Sequence, residues 1–294
     1  MKAAEHTGNR TVSGTVRYFG GAKGKPRFHA KDHQRDNWTP DVQPVLFHDA
    51  RSSQTPTSLW REGVTLVAHP TAMRDFGDRD EVRRVYVPEL EELIRAVTGA
   101  ARVVGFPFAN RRFSPRYPGY ADGDNSQPAS FPHVDVTPAT SHGLIDTFMG
   151  PREPLAPGQV LVGYNVWRVL SPPPQDMPLA VCDARTVARS DLVPADGVYD
   201  AGPPPWPTAE AYLVRRNPAH RWIYFSDMRP DEALIFRAYG NEPSWMAGAP
   251  HVAFADPSCP ASAGPRISVE ARAYAVFDAW PPQPPQAPSR RMDA

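Results

Sequence analysis

The sequence predicts a mainly β fold with flanking α structure, its core a double-stranded β-helix of the jelly-roll, cupin-like kind. Three observations lead there. Proline supplies 36 of the 294 residues and is spread along the whole chain; because it breaks helices and is excluded from central strands, this density predicts many short strands joined by irregular loops. Segments rich in β-branched and aromatic residues, bounded by Pro, Gly or Asp, recur as "ARVVGFPFANRRF", "QVLVGYNVWRVL", "PLAVCDA", "HRWIYFSDM", "EALIFRAY" and "RISVEARAYAVF". One helical region is followed by many strands without alternation, the pattern of a double-sheet jelly roll with helices packed outside. The length and the helix argue against an immunoglobulin-type sandwich.

In chain order, residues 1–12 carry no periodicity and are expected to be a flexible end. The core domain should run over 13–280. Its helical region, about 78–99, has Val82 and Val85, then Leu90, Leu93, Ile94 and Val97, at three- and four-residue steps. Pro88 interrupts the pattern, so two pieces or a kink are expected, with Gly99 closing the second. "SDMRPDEAL" supplies turn chemistry between strands. Residues 281–294, "PPQPPQAPSRRMDA", are too rich in proline to pack and should be a disordered tail.

Lys plus Arg equals Asp plus Glu at 32 each. Such a balance gives no reason to expect a nucleic-acid or membrane partner and leaves a small-molecule metabolite as the default. The first residues lack the apolar region of a signal peptide, and no stretch approaches the roughly 20 apolar residues of a membrane span, so a cytoplasmic protein is expected. Cys182 and Cys259 are too few for a disulfide framework and read as inert free thiols. The oligomeric state is not legible in the sequence.

The chemistry centres on "FPHVDVTP". In a strand, His133 and Asp135 project to one side, where an imidazole nitrogen and a carboxylate oxygen can take adjacent positions on one metal ion. The pair alone is weak, because His-x-Asp also occurs as an ordinary structural motif, so a third ligand is required. His6, His29 and His33 lie in a polar region, His142 and His220 in apparent loop and turn contexts, and His48 and His69 precede the helix. His251, in "GAPHVAFADP", comes late in the strand-rich part; it is either the third ligand or a loop histidine capping a turn. Two histidines and a carboxylate would make the facial triad of non-haem Fe(II) oxygenases, which leaves positions open for a co-substrate and O2.

Shortly afterwards, "RISVEARAYAVF" puts Arg266, Ser268, Glu270 and Arg272 on one strand face and Ile267, Val269, Ala271 and Ala273 on the other. A guanidinium fork plus a hydroxyl is a carboxylate receptor of the kind the distal carboxylate of 2-oxoglutarate needs. Alternatively, Arg266 merely begins an edge strand in solvent.

With these residues in place, the chain resembles the fungal and bacterial Fe(II)/2-oxoglutarate oxidoreductases of the CmcJ/NvfI type, which include hydroxylases and gibberellin desaturase-like proteins of secondary metabolism. The resemblance spans about residues 14–278 and is carried by "TVRYF", "VLFHDAR", "PHVDVTP", "YNVWRVL", "PLAVCDART", "HRWIYFSDMRPDEALIF" and "PHVAFADP". It implies a jelly roll with His133, Asp135 and His251 on iron, and Arg266 and Ser268 at the Arg and Ser of the family's "RES" segment. Ile267 replaces its middle Glu, on the opposite strand face. The implied activity is C–H oxidation of a small secondary metabolite (hydroxylation or desaturation), coupled to decarboxylation of 2-oxoglutarate to succinate, with Fe(II), 2-oxoglutarate and O2 as cofactors. The carboxylate at Asp135 argues against a halogenase, whose halide needs that position. A metal-holding accessory protein without turnover, or a metal-dependent hydrolase, are the other readings. The latter has no need of the Arg-x-Ser receptor.

Further pocket candidates come from "YNVWRVL", where Asn165 and Trp167 share one face and Tyr164, Val166 and Arg168 the other. Arg168, Arg111 and Arg112 are candidates either for an acidic substrate or co-substrate, or for structural ion pairs. The Gly- and Pro-rich run 113–130 is a candidate substrate lid.

Overall fold

A computed structural model describes residues 10–120, 126–149, 155–200, 203–241 and 248–279. Two antiparallel-dominated sheets face each other as a jelly roll, as expected. In chain order the strands are β1 (Thr11–Ala22), β2 (Arg27–His29), β3 (Trp38–Asp49), β4 (Val64–Ala68), β5 (Arg102–Phe113), β6 (His133–Val134), β7 (Val160–Val169), β8 (Leu179–Cys182), β9 (Leu192–Val198), β10 (Thr208–Val214), β11 (Trp222–Tyr224), β12 (Glu232–Gly240), β13 (His251–Ala253) and β14 (Ile267–Phe277). The nine-stranded sheet runs β1-β3-β11-β8-β13-β6-β10-β9-β2 and the five-stranded sheet β4-β12-β7-β14-β5.

Short strands are present, as at β2, β6, β8, β11 and β13, but β1, β3 and β5 each reach 12 residues. The β1–β3 ribbon was not among the strands read from composition, because Pro40 and Pro44 fall inside β3. The next strand, β11, pairs only with Phe47–Asp49, so the rest of β3 has an open side on which a missing N–H costs nothing. Pro107 sits in an edge strand, at the irregularity between Gly105 and Ala109 in the β5–β14 register. The first strand also starts inside the stretch expected to be flexible, and the expected tail, 281–294, lies outside the described residues.

The helical region is α1 (Arg79–Glu81), a π-helical turn (Val82–Tyr86) and α2 (Val87–Thr98). Asp78 caps the start by accepting from the N–H groups of Asp80 and Glu81. Pro88 would clash with the carbonyl four residues back in a regular helix; here Val87 N–H instead bonds the Val82 carbonyl, and the widened turn absorbs the ring. Gly99, at φ 71, ends α2 in the left-handed conformation, its N–H on the Arg95 carbonyl. Leu90, Leu93 and Ile94 pack on the outer face of the five-stranded sheet against Tyr164, Val166, Ala273 and Ala275. At about 2 kcal/mol per buried aliphatic side chain, this face is what anchors the helix.

A further helix, α3 (Pro138–Phe148), follows the metal motif directly. The run around His142 was expected to be a loop. Its Thr137–Pro138 start is an N-cap followed by proline at the first helical position, with Thr137 accepting from Thr140 N–H. The two thiols are unpaired, and burial pushes that of Cys182 up to about 12. Among the described residues, no helix is long and apolar enough to cross a membrane.

Candidate metal centre and carboxylate receptor

His133 and His251 lie directly opposite each other on neighbouring strands β6 and β13. The sheet therefore puts both imidazoles on one face, with ring centroids 4.3 Å apart. Asp135 follows β6 immediately, and its two oxygens lie 3.6 Å from His133 Nε2 and His251 Nε2 respectively. One atom from each of the three residues falls within 4.8 Å of the others, and this is the one such His/Cys/Asp/Glu group among the described residues.

The protonation pattern suits a cation. His133 Nδ1 lies 3.1 Å from the Phe131 carbonyl and His251 Nδ1 3.3 Å from the Ala249 carbonyl. A carbonyl only accepts, so each Nδ1 carries the proton and each Nε2 presents its lone pair toward Asp135. Burial, with His133 beside it, pushes His251 down to about 3, which keeps it neutral. Burial would raise the Asp135 carboxyl, but the group is held well below the usual carboxylate range, foremost by the Arg272 guanidinium.

Asp135 is bracketed from the facing sheet. Asn165 Nδ2 donates to Oδ2 at 2.6 Å, and Arg272 Nη2 lies 2.9 Å from Oδ1. Arg272 and Asn165 are register partners across β14 and β7. The same Arg272 nitrogen bonds Glu270 Oε1 at 3.0 Å, so one guanidinium holds two carboxylates apart in a nearly buried site. Replacing Arg272 by Met is expected to destabilise the metal-free protein by about 3–5 kcal/mol, the cost of stranding buried charge. Urea unfolding measures it; a loss below about 1 kcal/mol would mean the pair is solvated.

Arg266 and Ser268 extend the same inward face toward the other end of β14. Arg266 is 1% exposed and Ser268 fully buried. The guanidinium donates from Nη1 to the Met177 carbonyl at 2.7 Å and lies over the Trp167 ring at 5.6 Å. Asp176 accepts from the backbone N–H of Arg266 at 2.8 Å, with its other oxygen bonded by Ser114 Oγ at 2.6 Å. Among the described residues no carboxylate pairs with the Arg266 side chain, and Arg266 Nε and Ser268 Oγ have no hydrogen-bond partner. Burial pulls the Arg266 guanidinium down to about 9. A desolvated cation beside an unpartnered hydroxyl is suited to a carboxylate.

The chain is matched over residues 17–277 by the family model described as an oxidoreductase/YMDC permease-like domain. It is 31% identical over 246 residues to the Fe(II)/2-oxoglutarate-dependent dioxygenase NvfI of Aspergillus novofumigatus, covering 80% of this chain and 83% of that one. The chain belongs to the NvfI-type Fe(II)/2-oxoglutarate-dependent oxidoreductase family. Another member, the hydroxylase/desaturase EfuI of Hormonema carpetanum, is 31% identical over 233 residues, covering 73% of this chain and 77% of that protein. A solved structure of the iron and alpha-ketoglutarate-dependent endoperoxidase NvfI superposes with a TM-score of 0.74 at 26% identity, covering 91% and 98% of the two chains.

Of the pocket candidates within this NvfI-type frame, Asn165 and Trp167 do face inward; Asn165 bonds Asp135, and Trp167 lies beside Arg266 and packs in the buried cluster with Val169, Val181 and Phe236. Tyr164 and Arg168 lie on the opposite, helix-facing side of β7, away from the metal group. Tyr164 is buried in the core under α2. Arg168 is fully buried, donating to Tyr86 Oη at 3.1 Å and to the His69 carbonyl at 3.0 Å, with its second nitrogen 2.9 Å from His69 Nδ1. Arg112 pairs in register with Ser268 and so shares the inward face, and its guanidinium bonds Ser126 Oγ. In the candidate lid, residues 121–125 lie outside the described residues. Missed in the sequence was the contact of Arg272 with Asp135; alternation placed Arg272 on the right face, but the pairing of β14 with β7 is what brings it there.

Proposed function

We propose that this protein oxidises a C–H bond of a small metabolite, consuming 2-oxoglutarate and O2 and releasing succinate and CO2, with Fe(II) held by His133, Asp135 and His251. The observation that carries this is the coexistence on one inward surface of two imidazoles with Nε2 free, a charged carboxylate, and a buried Arg266–Ser268 pair whose Nε and Oγ have no hydrogen-bond partner. Fe(II) bound there supplies O2 activation, chemistry beyond any side chain.

The protein's own residues do the rest. Asn165 and Arg272 orient Asp135, and the Nδ1 bonds to Phe131 and Ala249 orient the imidazoles. Arg266 and Ser268 receive the distal carboxylate of 2-oxoglutarate, and Trp167 covers the guanidinium. Val169, Val181, Leu234 and Phe236 make the neighbouring interior dry and exclude water from the reacting centre. Arg112, on the same face, is a substrate-side residue in this reading. A cytoplasmic location is part of the proposal, supported by the two unpaired thiols.

The test is succinate release. Protein purified without oxygen and given Fe(II), 2-oxoglutarate and then air is expected to form succinate and consume O2 in equal amounts, slowly without substrate and faster with it. Binding of both Fe(II) and 2-oxoglutarate with no succinate across a panel of metabolites would overturn the assignment and leave a non-catalytic binding protein.

A further inference from the structure

The open edge of β5 borders a cavity of about 470 Å3 that takes residues from both faces of the strand, within the range of small-molecule sites. It lies between the edge of the five-stranded sheet and the end of the larger one. Asn110, Arg111 and Arg112 contribute from β5, and Tyr199 from the residue after β9. Lys31, Arg79 and Arg83 also line it, each with interactions of its own, and no Asp or Glu lines the cavity among the described residues. Arg83 is partly neutralised by Asp80 at 2.7 Å.

The two β5 arginines matter most. Arg111 packs its guanidinium over the Phe113 ring at 5.6 Å, and among the described residues no carboxylate or carbonyl accepts from it. Arg112 lies deeper: its register partner is Ser268, that of Asn110 is Glu270, and its charge acts on both Glu270 and Arg266. Asn110 and Arg112 thus share the inward face of the sheet with Ser268, Glu270 and Arg272. A concave surface lined by one sign of charge concentrates the opposite charge and fixes its orientation.

We propose that this cavity is the substrate subsite and that it selects a metabolite bearing an anionic oxygen-acid group, a carboxylate or a phosphate monoester, held by Arg111 and Arg112. The class of substrate rests on the oxygenase reading only for what is done to the bound molecule. The recognition itself rests on the cavity.

The experiment measures binding of 2-naphthoate, 2-naphthyl phosphate and the neutral methyl 2-naphthoate, by calorimetry, to protein loaded with Zn(II) and saturating 2-oxoglutarate. At least one anion is expected to bind about tenfold or more tighter than the ester, and which of the two does so names the group. The preference should shrink as salt rises from 20 to 500 mM, values on either side of the roughly 10 Å screening length at about 0.1 M. It should also be lost in Arg111→Gln and Arg112→Gln proteins whose circular dichroism matches the parent. Equal binding of the ester, a preference that survives both substitutions, or anion binding abolished by saturating 2-oxoglutarate would each overturn the proposal. Succinate release without an anion preference would sink this proposal alone. An anion preference without succinate release would sink the oxygenase reading alone.

Discussion

In a His133→Ala protein, Fe(II) affinity is expected to fall by on the order of a thousandfold, and succinate release to background, with the fold retained. Losing an outer-sphere partner of a metal ligand already costs about 10–100-fold, and His133 is one of only three ligand side chains in the group. The imidazole is 14% exposed at the inner surface, so truncation removes little packing and should lower stability by only about 1–2 kcal/mol. Titration with Co(II), whose visible spectrum reports coordination, separates loss of the site from loss of the fold. Unchanged metal affinity would remove His133 from the centre and with it the triad.

Arg266→Met should act on the other substrate. The Kd for 2-oxoglutarate is expected to rise by on the order of a hundredfold or more, as removing one partner of a buried charge pair costs about 2–5 kcal/mol. Fe(II) affinity should stay at the parent value. Arg266→Lys keeps a charge but loses the planar fork and should fall between the two. Ser268→Ala, which removes one donor to a charged group, should cost about tenfold. Calorimetric titration of 2-oxoglutarate into the Zn(II) protein reads all three. The Met177 carbonyl loses its 2.7 Å donor in Arg266→Met, so the variant's thermal unfolding is measured alongside. An unaltered 2-oxoglutarate Kd would mean that the buried guanidinium is only a strap between β14 and the segment before β8.

The two sets of variants are separable because the inner surface is built from different sheets. The imidazoles come from the nine-stranded sheet, at the β6–β13 contact. The carboxylate receptor and the Asn165–Arg272 bracket come from the five-stranded sheet, on β14 and β7. Asp135 is where they meet, held by a hydrogen bond and an ion pair from the facing layer.

A period of two along a strand was enough to group Arg266 with Ser268, Glu270 and Arg272, and to put His133 and Asp135 on one side, because that alternation is a local property of extended backbone. The same rule was insufficient at β7. It separated Asn165 and Trp167 from Tyr164 and Arg168, but every residue of that strand is buried, so polarity does not reveal which set faces the site and which faces α2. The helix after Thr137 was readable from its cap and proline but was obscured by the short polar run that follows. The β1–β3 ribbon was hidden by prolines that only an open strand side tolerates.

The local sequence thus determined the fold class, the helix with its Pro88 interruption and Gly99 end, the pairing of His133 with Asp135 on one side and the face shared by Arg266 and Ser268. Each follows from propensity or periodicity within a few residues. The placing of His251 opposite His133, the reach of Arg272 to Asp135, and the outward burial of Arg168 follow from strand order, because hydrogen-bonded neighbours in a sheet need not be neighbours in the chain.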